Sequence, residues 1–199
     1  MIRRAAGALV LRLQGAPEPT VFMIQRFRTM RQFPGVWSFP GGQVDGGDSV
    51  GRDWVNADGW DQDRCLSTAG YLQRWEIDAP SVQSWLPADS LGIVQVAARA
   101  AWREALEELG AGLETAAPAD GSMRYLGRLS PPPQVEFGFD TRFFGLTVPP
   151  FQPALEPAEV AQGRWLTVFQ ALHSGMPQAR PTRYVLERLE SWVRASEGP

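Results

Sequence analysis

Short apolar runs alternate with turn residues over much of the chain. The runs GALVLRLQ (7–14) and TVFMIQRF (20–27) flank the Gly- and Pro-containing segment 15–20, which predicts two β-strands joined as a hairpin. Three later runs are also rich in apolar, aromatic and β-branched residues and predict further strands: MRYLGRLS (123–130), FGFDTRFFGLTV (137–148) and GRWLTV (163–168).

Two segments repeat their apolar residues at helical spacing. In the first, 97–110, the apolar residues share one face and three glutamates share the opposite face, and Gly110 is suited to end the helix. The second, 181–195, predicts a closing helix with Thr182 as its N-cap. Strands before and after a central helix, followed by a closing helix, predict an α/β or α+β layered domain.

Residues 49–95 break this pattern, because Trp54, Trp60, Trp75 and Trp85 are scattered among Asp, Gly, Ser and Pro without a clear period. We interpret this stretch as an inserted lobe. The chain of 199 residues is then a single domain with an insertion at about 49–95.

Composition limits the function. A formal net charge of −3 and a pI near 5.3 argue against a protein that coats a nucleic-acid backbone, but allow a small phosphorylated ligand. Cys65 is the only cysteine, so neither an intrachain disulfide nor a cysteine metal site is expected. The apolar run after Arg3 and Arg4 is interrupted by Arg12, which favours a strand over a signal peptide. We expect a cytoplasmic protein without a membrane or nucleic-acid partner.

The glutamates on the helix at 97–110 form the strongest chemical signal. Glu104, Glu107 and Glu108 repel one another at this spacing, and a hard divalent cation such as Mg²⁺ would compensate for the repulsion. Taken alone, such a charge run is typical of a solvated helix face, and FPGG (39–42) alone is typical of a Pro-Gly turn. Glycines in such a loop also allow the backbone to approach a metal or a phosphate closely.

Together the two segments resemble the Nudix box. That box has a Gly, five residues, a Glu, seven residues, and then Arg-Glu-apolar-any-Glu-Glu-any-Gly-apolar. Here Gly42, Asp48 in place of the Glu, and REALEELGA (103–111) match it, while residues 49–102 replace the seven-residue spacer. A long loop is tolerated there because its closure cost grows only logarithmically with length.

The resemblance implies a Nudix-type α/β/α sandwich with a mixed β-sheet and an inserted lobe. It also implies a diphosphatase that uses Mg²⁺ or Mn²⁺. Glu104, Glu107, Glu108 and Gly42 would hold the metal. Glu104 would also orient or deprotonate the attacking water. Arg103, next to it in the box, would be the second catalytic residue.

A narrower resemblance is to the coenzyme A diphosphatases within that family. Their signature of two arginines and a glycine ahead of Phe-Pro-Gly-Gly is matched by Arg26, Arg31, Gly35 and FPGG. The split box and FDTRFF (139–144) are also similar to a subset of these enzymes. The resemblance implies that Arg26, Arg31, Gly41 and Gly42 bind the substrate phosphates, because guanidinium groups form bidentate bonds to them.

Other interpretations stay open. The substrate could be another nucleoside diphosphate derivative, such as ADP-ribose or a dinucleoside polyphosphate, or the chain could be a non-catalytic Nudix-fold binding module. The lobe at 49–95 could cover an acyl chain or the pantetheine arm, or it could form a homodimer surface. Glu156 and Glu159 resemble downstream acids near the metal, although exposed loop acids are an equal alternative. His173, the only histidine, is expected to be a surface or capping residue rather than a base.

Overall fold

The computed structural model describes residues 4–30, 33–56, 66–73, 89–116, 119, 121–132, 134–135 and 138–196. Seven strands lie in these ranges: β1 Ala5–Leu13, β2 Thr20–Arg26, β3 Trp37–Ser38, β4 Gly41–Gln43, β5 Arg124–Leu129, β6 Asp140–Val148 and β7 Val160–Thr167. Five α-helices accompany them: α1 Thr68–Leu72, α2 Leu91–Leu109, α3 Ala111–Thr115, α4 Val168–His173 and α5 Arg180–Ser196. A 3₁₀ helix spans Gly46–Ser49.

The strands form one mixed sheet with β1 at its centre. β1 runs parallel to β6 along its whole length, from Ala5 opposite Asp140 to Leu13 opposite Val148. Its other edge pairs antiparallel with β4 near its start and with β2 near its end, which confirms the predicted hairpin. The order β3-β2-β1-β6-β5 is completed by β7, which pairs antiparallel with β2.

Helices cover both faces of the sheet. Because side chains alternate along a strand, Leu9 and Leu11 of β1 face the opposite side from Ala8 and Val10. The first pair packs in a core with α2, and the second packs in a core with α1, α4 and α5. This α/β/α arrangement with a mixed sheet confirms the predicted fold class.

Some element boundaries differ from the prediction. α2 begins at Leu91 rather than at 97, because Ser90 caps it by accepting a hydrogen bond from the Ile93 amide, and Val94 continues its buried face. Its first turns therefore lie inside the range predicted as an insertion. α5 begins at Arg180, so the N-cap predicted at Thr182 is wrong, and Thr182 is a buried residue of the first turn. The predicted FPGG loop contributes two residues to β4.

The described parts of 49–90 pack into both cores. Trp54 and Val55 are buried against α2, where the Trp54 and Trp102 ring centroids lie 4.9 Å apart. Leu66 and Leu72 are buried in the core on the other face of the sheet. Both layers of the domain are therefore completed by this segment.

A network of buried and partly buried charged residues fixes the position of Asp89, which lies just before α2. Asp89 accepts hydrogen bonds from Arg142 of β6, at 2.7 Å from Nη2, and from the Tyr125 hydroxyl. Asp140 is bound in turn by Arg128 through two 2.6 Å contacts. The Asp and Arg of the FDTRFF segment therefore belong to this network.

Candidate active site

Arg103 joins the two halves of the split box. Its Nε and Nη2 lie 3.1 and 3.2 Å from the two carboxylate oxygens of Asp48, and Nη2 also donates to the Gln43 carbonyl at 2.9 Å. Burial acts to raise the pKa of Asp48, but the hydrogen bond and charge of Arg103 outweigh it, and the pKa is lowered. Asp48 thus forms a bidentate ion pair from the position at which the box usually has Glu.

The glycines of the loop lie directly against the glutamates of the helix. The Gly41 amide donates to Oε2 of Glu108 at 2.9 Å. A Cβ added at Gly42 would meet the Glu104 carboxyl carbon at 2.3 Å, so no side chain fits between this backbone and the carboxylate. The close approach inferred from the sequence is therefore present at both glycines.

The three glutamates occupy different environments. Glu107 is exposed and accepts from Arg103 Nη1 at 3.3 Å. Glu104 is partly buried and accepts from the same nitrogen at 3.0 Å; burial raises its pKa, Arg103 opposes that effect, and Glu107 and Glu159 add to it. A shared helix face therefore does not make these carboxylates equivalent.

Glu108 is the most buried acid of the site, with 2% of its surface exposed. Arg26 Nη2 lies 3.0 Å from its Oε1. Burial raises the pKa of Glu108 to about 8, and Arg26 and the Gly41 amide act in the opposite direction. Arg26, expected to bind substrate phosphate, is thus paired with a glutamate of the box.

A cavity of about 440 Å³ opens beside these residues. Its charged and glycine-rich lining includes Arg26, Glu104, Glu159 and residues 41–43. Apolar and aromatic side chains line much of the rest, among them Phe39, Tyr71, Leu129, Pro131, Phe139 and Phe143. The cavity can therefore hold an uncharged or aromatic group next to the acids.

The other residues singled out in the sequence differ in where they lie relative to the cavity. Arg31 lies outside the described residues. Glu159 lines the cavity, whereas the Glu156 carboxylate accepts from the Ala158 amide at 3.1 Å within its own loop. His173 is half exposed at the end of α4, as expected. The contribution of Tyr71 to the cavity was not anticipated, because no local pattern in 49–95 marks it.

The donor chemistry of the site fits a hard divalent cation. Within the described ranges, no group of three His, Cys, Asp or Glu side chains is preassembled around one metal position. However, the acidic side chains that could hold the metal are all glutamates, whose carboxylate oxygens are the ligands that Mg²⁺ prefers. Two of them, Glu104 and Glu159, line the cavity. Oxygens of Glu107 and Glu108 are engaged by Arg103 and Arg26. The glutamates therefore fit Mg²⁺ or Mn²⁺, provided that the metal displaces Arg103 and Arg26 from the oxygens it binds.

Comparison with known proteins gives the same fold. No protein-family model matches the sequence, and no curated protein matches it. A solved NUDIX hydrolase from Alicyclobacillus acidocaldarius is similar, with 25% identity and a TM-score of 0.65 over 94% of this chain and 90% of that chain. The NUDIX domain of Shewanella oneidensis NrtR, solved with ADP ribose, is 13% identical with a TM-score of 0.57 over 97% and 90%.

A mutT/nudix family protein from Listeria innocua is also similar, with 18% identity and a TM-score of 0.54 over 97% of this chain and 95% of that chain. The fold is thus that of solved Nudix hydrolases, and the two segments that resemble the Nudix box lie together within it. Nudix hydrolases generally use divalent metal ions. No helix in the described part of the chain has the length and apolar character needed to span a membrane.

Proposed function

We propose that the protein hydrolyses the diphosphate linkage of coenzyme A or acyl-coenzyme A. The products would be 3′,5′-ADP and 4′-phosphopantetheine or its acylated form. The observation that carries the proposal is that Arg26 and the FPGG loop, which match the coenzyme A signature, both contact Glu108 of the box helix. The single cysteine and the acidic balance support a cytoplasmic enzyme of a small phosphorylated substrate.

Glu104, Glu107, Glu108 and Gly42 would hold Mg²⁺ or Mn²⁺. When bound, the metal would neutralise charge on the diphosphate and lower the pKa of water. Glu104 is the box glutamate that lines the cavity, so it is the residue we assign as the base that takes a proton from the attacking water. The water oxygen bonds to phosphorus, the bridging P–O bond breaks, and the leaving phosphate takes a proton from solvent.

Arg103 would be a positioning residue in this scheme. It holds Asp48 and Gln43 on the loop side and Glu104 on the helix side, so it sets how far the carboxylate lies from Gly42. Gly41 and Gly42 allow the loop backbone to come this close. Arg26 and Arg31 would bind the substrate phosphates, with Arg31 assigned from the sequence signature alone.

The cavity supports one arm of the substrate. Its aromatic lining would pack against the adenine ring or an apolar chain, and Glu104 and Arg26, which also line it, are the residues we assign to the diphosphate. The NUDIX domain of Shewanella oneidensis NrtR was solved with ADP ribose, so ADP-ribose is the second substrate to test. A binding module without catalysis is the third possibility.

A substrate panel tests the proposal. Coenzyme A, dephospho-coenzyme A, acyl-coenzyme A, ADP-ribose and NADH are each incubated with Mg²⁺, with Mn²⁺ or with EDTA, and the products are separated by chromatography. We expect hydrolysis that EDTA abolishes. We also expect a kcat/KM for coenzyme A at least about tenfold above that for dephospho-coenzyme A, because a hydrogen bond from arginine to the 3′-phosphate contributes roughly 1.5–3 kcal/mol.

The panel separates the alternatives. Arg31→Ala should remove most of the preference for coenzyme A over dephospho-coenzyme A. Equal or better turnover of ADP-ribose would overturn the coenzyme A assignment and leave a Nudix hydrolase of another nucleoside diphosphate derivative. Binding of these compounds without any hydrolysis would identify a binding module.

A further inference from the structure

We infer that Arg26 serves as the cation of the buried Glu108 carboxylate while no metal is bound, and that it moves to the substrate diphosphate when a divalent metal binds Glu108. The inference rests on the proposed function in one respect, the assignment of Glu108 as a metal ligand. It gives Arg26 a second role besides phosphate binding: Arg26 neutralises Glu108 until metal binding releases its guanidinium for the substrate phosphates.

Glu108 needs a positive partner because it is buried. Both of its oxygens are occupied: Arg26 Nη2 lies 3.0 Å from Oε1, and the Gly41 amide nitrogen lies 2.9 Å from Oε2. A buried carboxylate without such partners is strongly destabilising. Arg26 is the only cation that forms an ion pair with Glu108 among the described residues.

A metal at Glu108 would compete with Arg26. The Gly41 amide already holds Oε2, so the metal would bind Oε1, the oxygen that Arg26 Nη2 contacts at 3.0 Å. A divalent ion about 2.1 Å from that oxygen would repel the guanidinium strongly at such short range. We therefore expect metal binding at Glu108 to displace Arg26.

The cavity provides the place to which Arg26 withdraws. Arg26 lies at the end of β2, where the pairing with β7 shifts register, and it lines the cavity together with Glu104 and Glu159. Because Arg26 already lines the cavity, its guanidinium would turn from Glu108 to a group bound there without leaving the cavity. A diphosphate offers the bidentate oxygens that a guanidinium binds best.

Binding of the metal alone tests the first half of the inference. The melting temperature of the wild type and of Arg26→Gln is measured in EDTA and with increasing Mn²⁺, and the Mn²⁺ dissociation constant is measured by calorimetry. We expect Arg26→Gln to be less stable in EDTA, to gain more in Tm from Mn²⁺, and to bind Mn²⁺ about tenfold or more tightly than the wild type. The variant has lost the competing cation, and binding to the folded state raises stability.

Arg28→Gln is the matched control, because it removes one positive charge from an exposed position two residues along the chain. Its Mn²⁺ response should equal that of the wild type. With saturating Mn²⁺, ADP should bind Arg26→Gln about tenfold more weakly than the wild type or Arg28→Gln. The loss reflects the missing charge-assisted hydrogen bond.

The outcomes distinguish this inference from the proposed function. A Mn²⁺ response in Arg26→Gln that is equal to or smaller than that of the wild type would show that Arg26 is a fixed support, and would overturn the inference. A wild type that binds Mn²⁺ but does not hydrolyse coenzyme A overturns the substrate assignment alone. If Arg26→Gln does not fold, Arg26→Met, which also lacks the charge but keeps an unbranched apolar side chain, replaces it, and an unchanged Mn²⁺ affinity in that variant also overturns the inference.

Discussion

At the scale of single residues, the site depends on differences among side chains of one type. Helical periodicity was enough to predict that Glu104, Glu107 and Glu108 share a face. Their separate environments come from contacts with the FPGG loop, with β2 and with the cavity, all distant in sequence. The burial of Glu108 on α2 could not be predicted for the same reason, because its partners Arg26 and Gly41 are more than 60 residues away in the sequence.

Glu104→Gln tests the assigned base. The substitution keeps the size of the side chain and removes its charge, so we expect kcat to fall by about 100-fold or more, as for loss of a general base. The fold should persist, because burial disfavours the charged form of Glu104, as its raised pKa shows, and the neutral amide of Gln avoids that cost. Steady-state kinetics and circular dichroism make the measurement. Glu114→Gln on the exposed side of α3 is the control, and near-native kcat in Glu104→Gln would exclude Glu104 as the base.

Asp48 gives a prediction for acid stability. Its pKa is lowered in the folded protein, so the folded state binds its proton less readily than the unfolded state. The stability from its ion pair with Arg103 is therefore fully present above the unfolded value of about 4 and is lost as pH falls through the folded value. We expect Asp48→Asn to be less stable than the wild type at pH 6 and the difference to shrink below about pH 4.

Urea unfolding at a series of pH values measures this effect, and Asp53→Asn, whose carboxylate is exposed, is the control. A stability difference that stays constant from pH 6 to pH 3 would show that the charge of Asp48 is not what binds Arg103. Asp48→Glu would test whether the residue usual in the box supports the same ion pair with a longer side chain.

At the scale of elements, the longer strands were predictable because each carries a long apolar run. β3 and β4 were not predicted, since two or three residues are too few to show a period, and they exist through pairing with β2 and β1. The early start of α2 had a signal in Ser90, which caps the helix just before Leu91. That signal was missed because residues 49–95, whose tryptophans show no regular spacing, were treated as one insertion.

The short helix α1 supplies Tyr71 to the cavity wall, and this gives a prediction for substrate binding. Tyr71 is buried, and its ring centroid lies 5.5 Å from that of Tyr184, which does not line the cavity. We expect Tyr71→Ala to raise KM about tenfold with little change in kcat. Contacts with a non-reacting part of the substrate contribute equally to ground and transition states.

Tyr184→Ala is the matched control, because it removes the other ring of the same pair and should cost comparable stability without changing KM. Kinetics are measured at a temperature well below the melting point of both variants. An equal effect of the two substitutions on KM would mean that α1 only supports the fold. In that case the segment 66–73 has no part in substrate selection.

At the scale of the whole molecule, the described parts of the segment between the two halves of the box belong to the core. The sequence predicted the box itself, because its spacing survives on both sides of the interruption. The cavity was beyond prediction, since its walls come from β1, the FPGG loop, α1, β6 and the start of α5. The same is true of the contacts that bring Trp54 and Leu72 into opposite cores.

This organisation predicts a single cooperative unfolding transition. Leu72 is fully buried in the core beneath α5, so Leu72→Ala should lower the free energy of unfolding by about 2–5 kcal/mol. Leu91→Ala, at a position that is 43% exposed, should change it by less than about 0.5 kcal/mol. Urea unfolding of both variants is followed by tryptophan fluorescence and by far-ultraviolet circular dichroism, which should give coincident curves if the segment and the sheet unfold together. An early fluorescence transition in Leu72→Ala, with the dichroism unchanged, would instead show that residues 49–90 form a separately folding lobe.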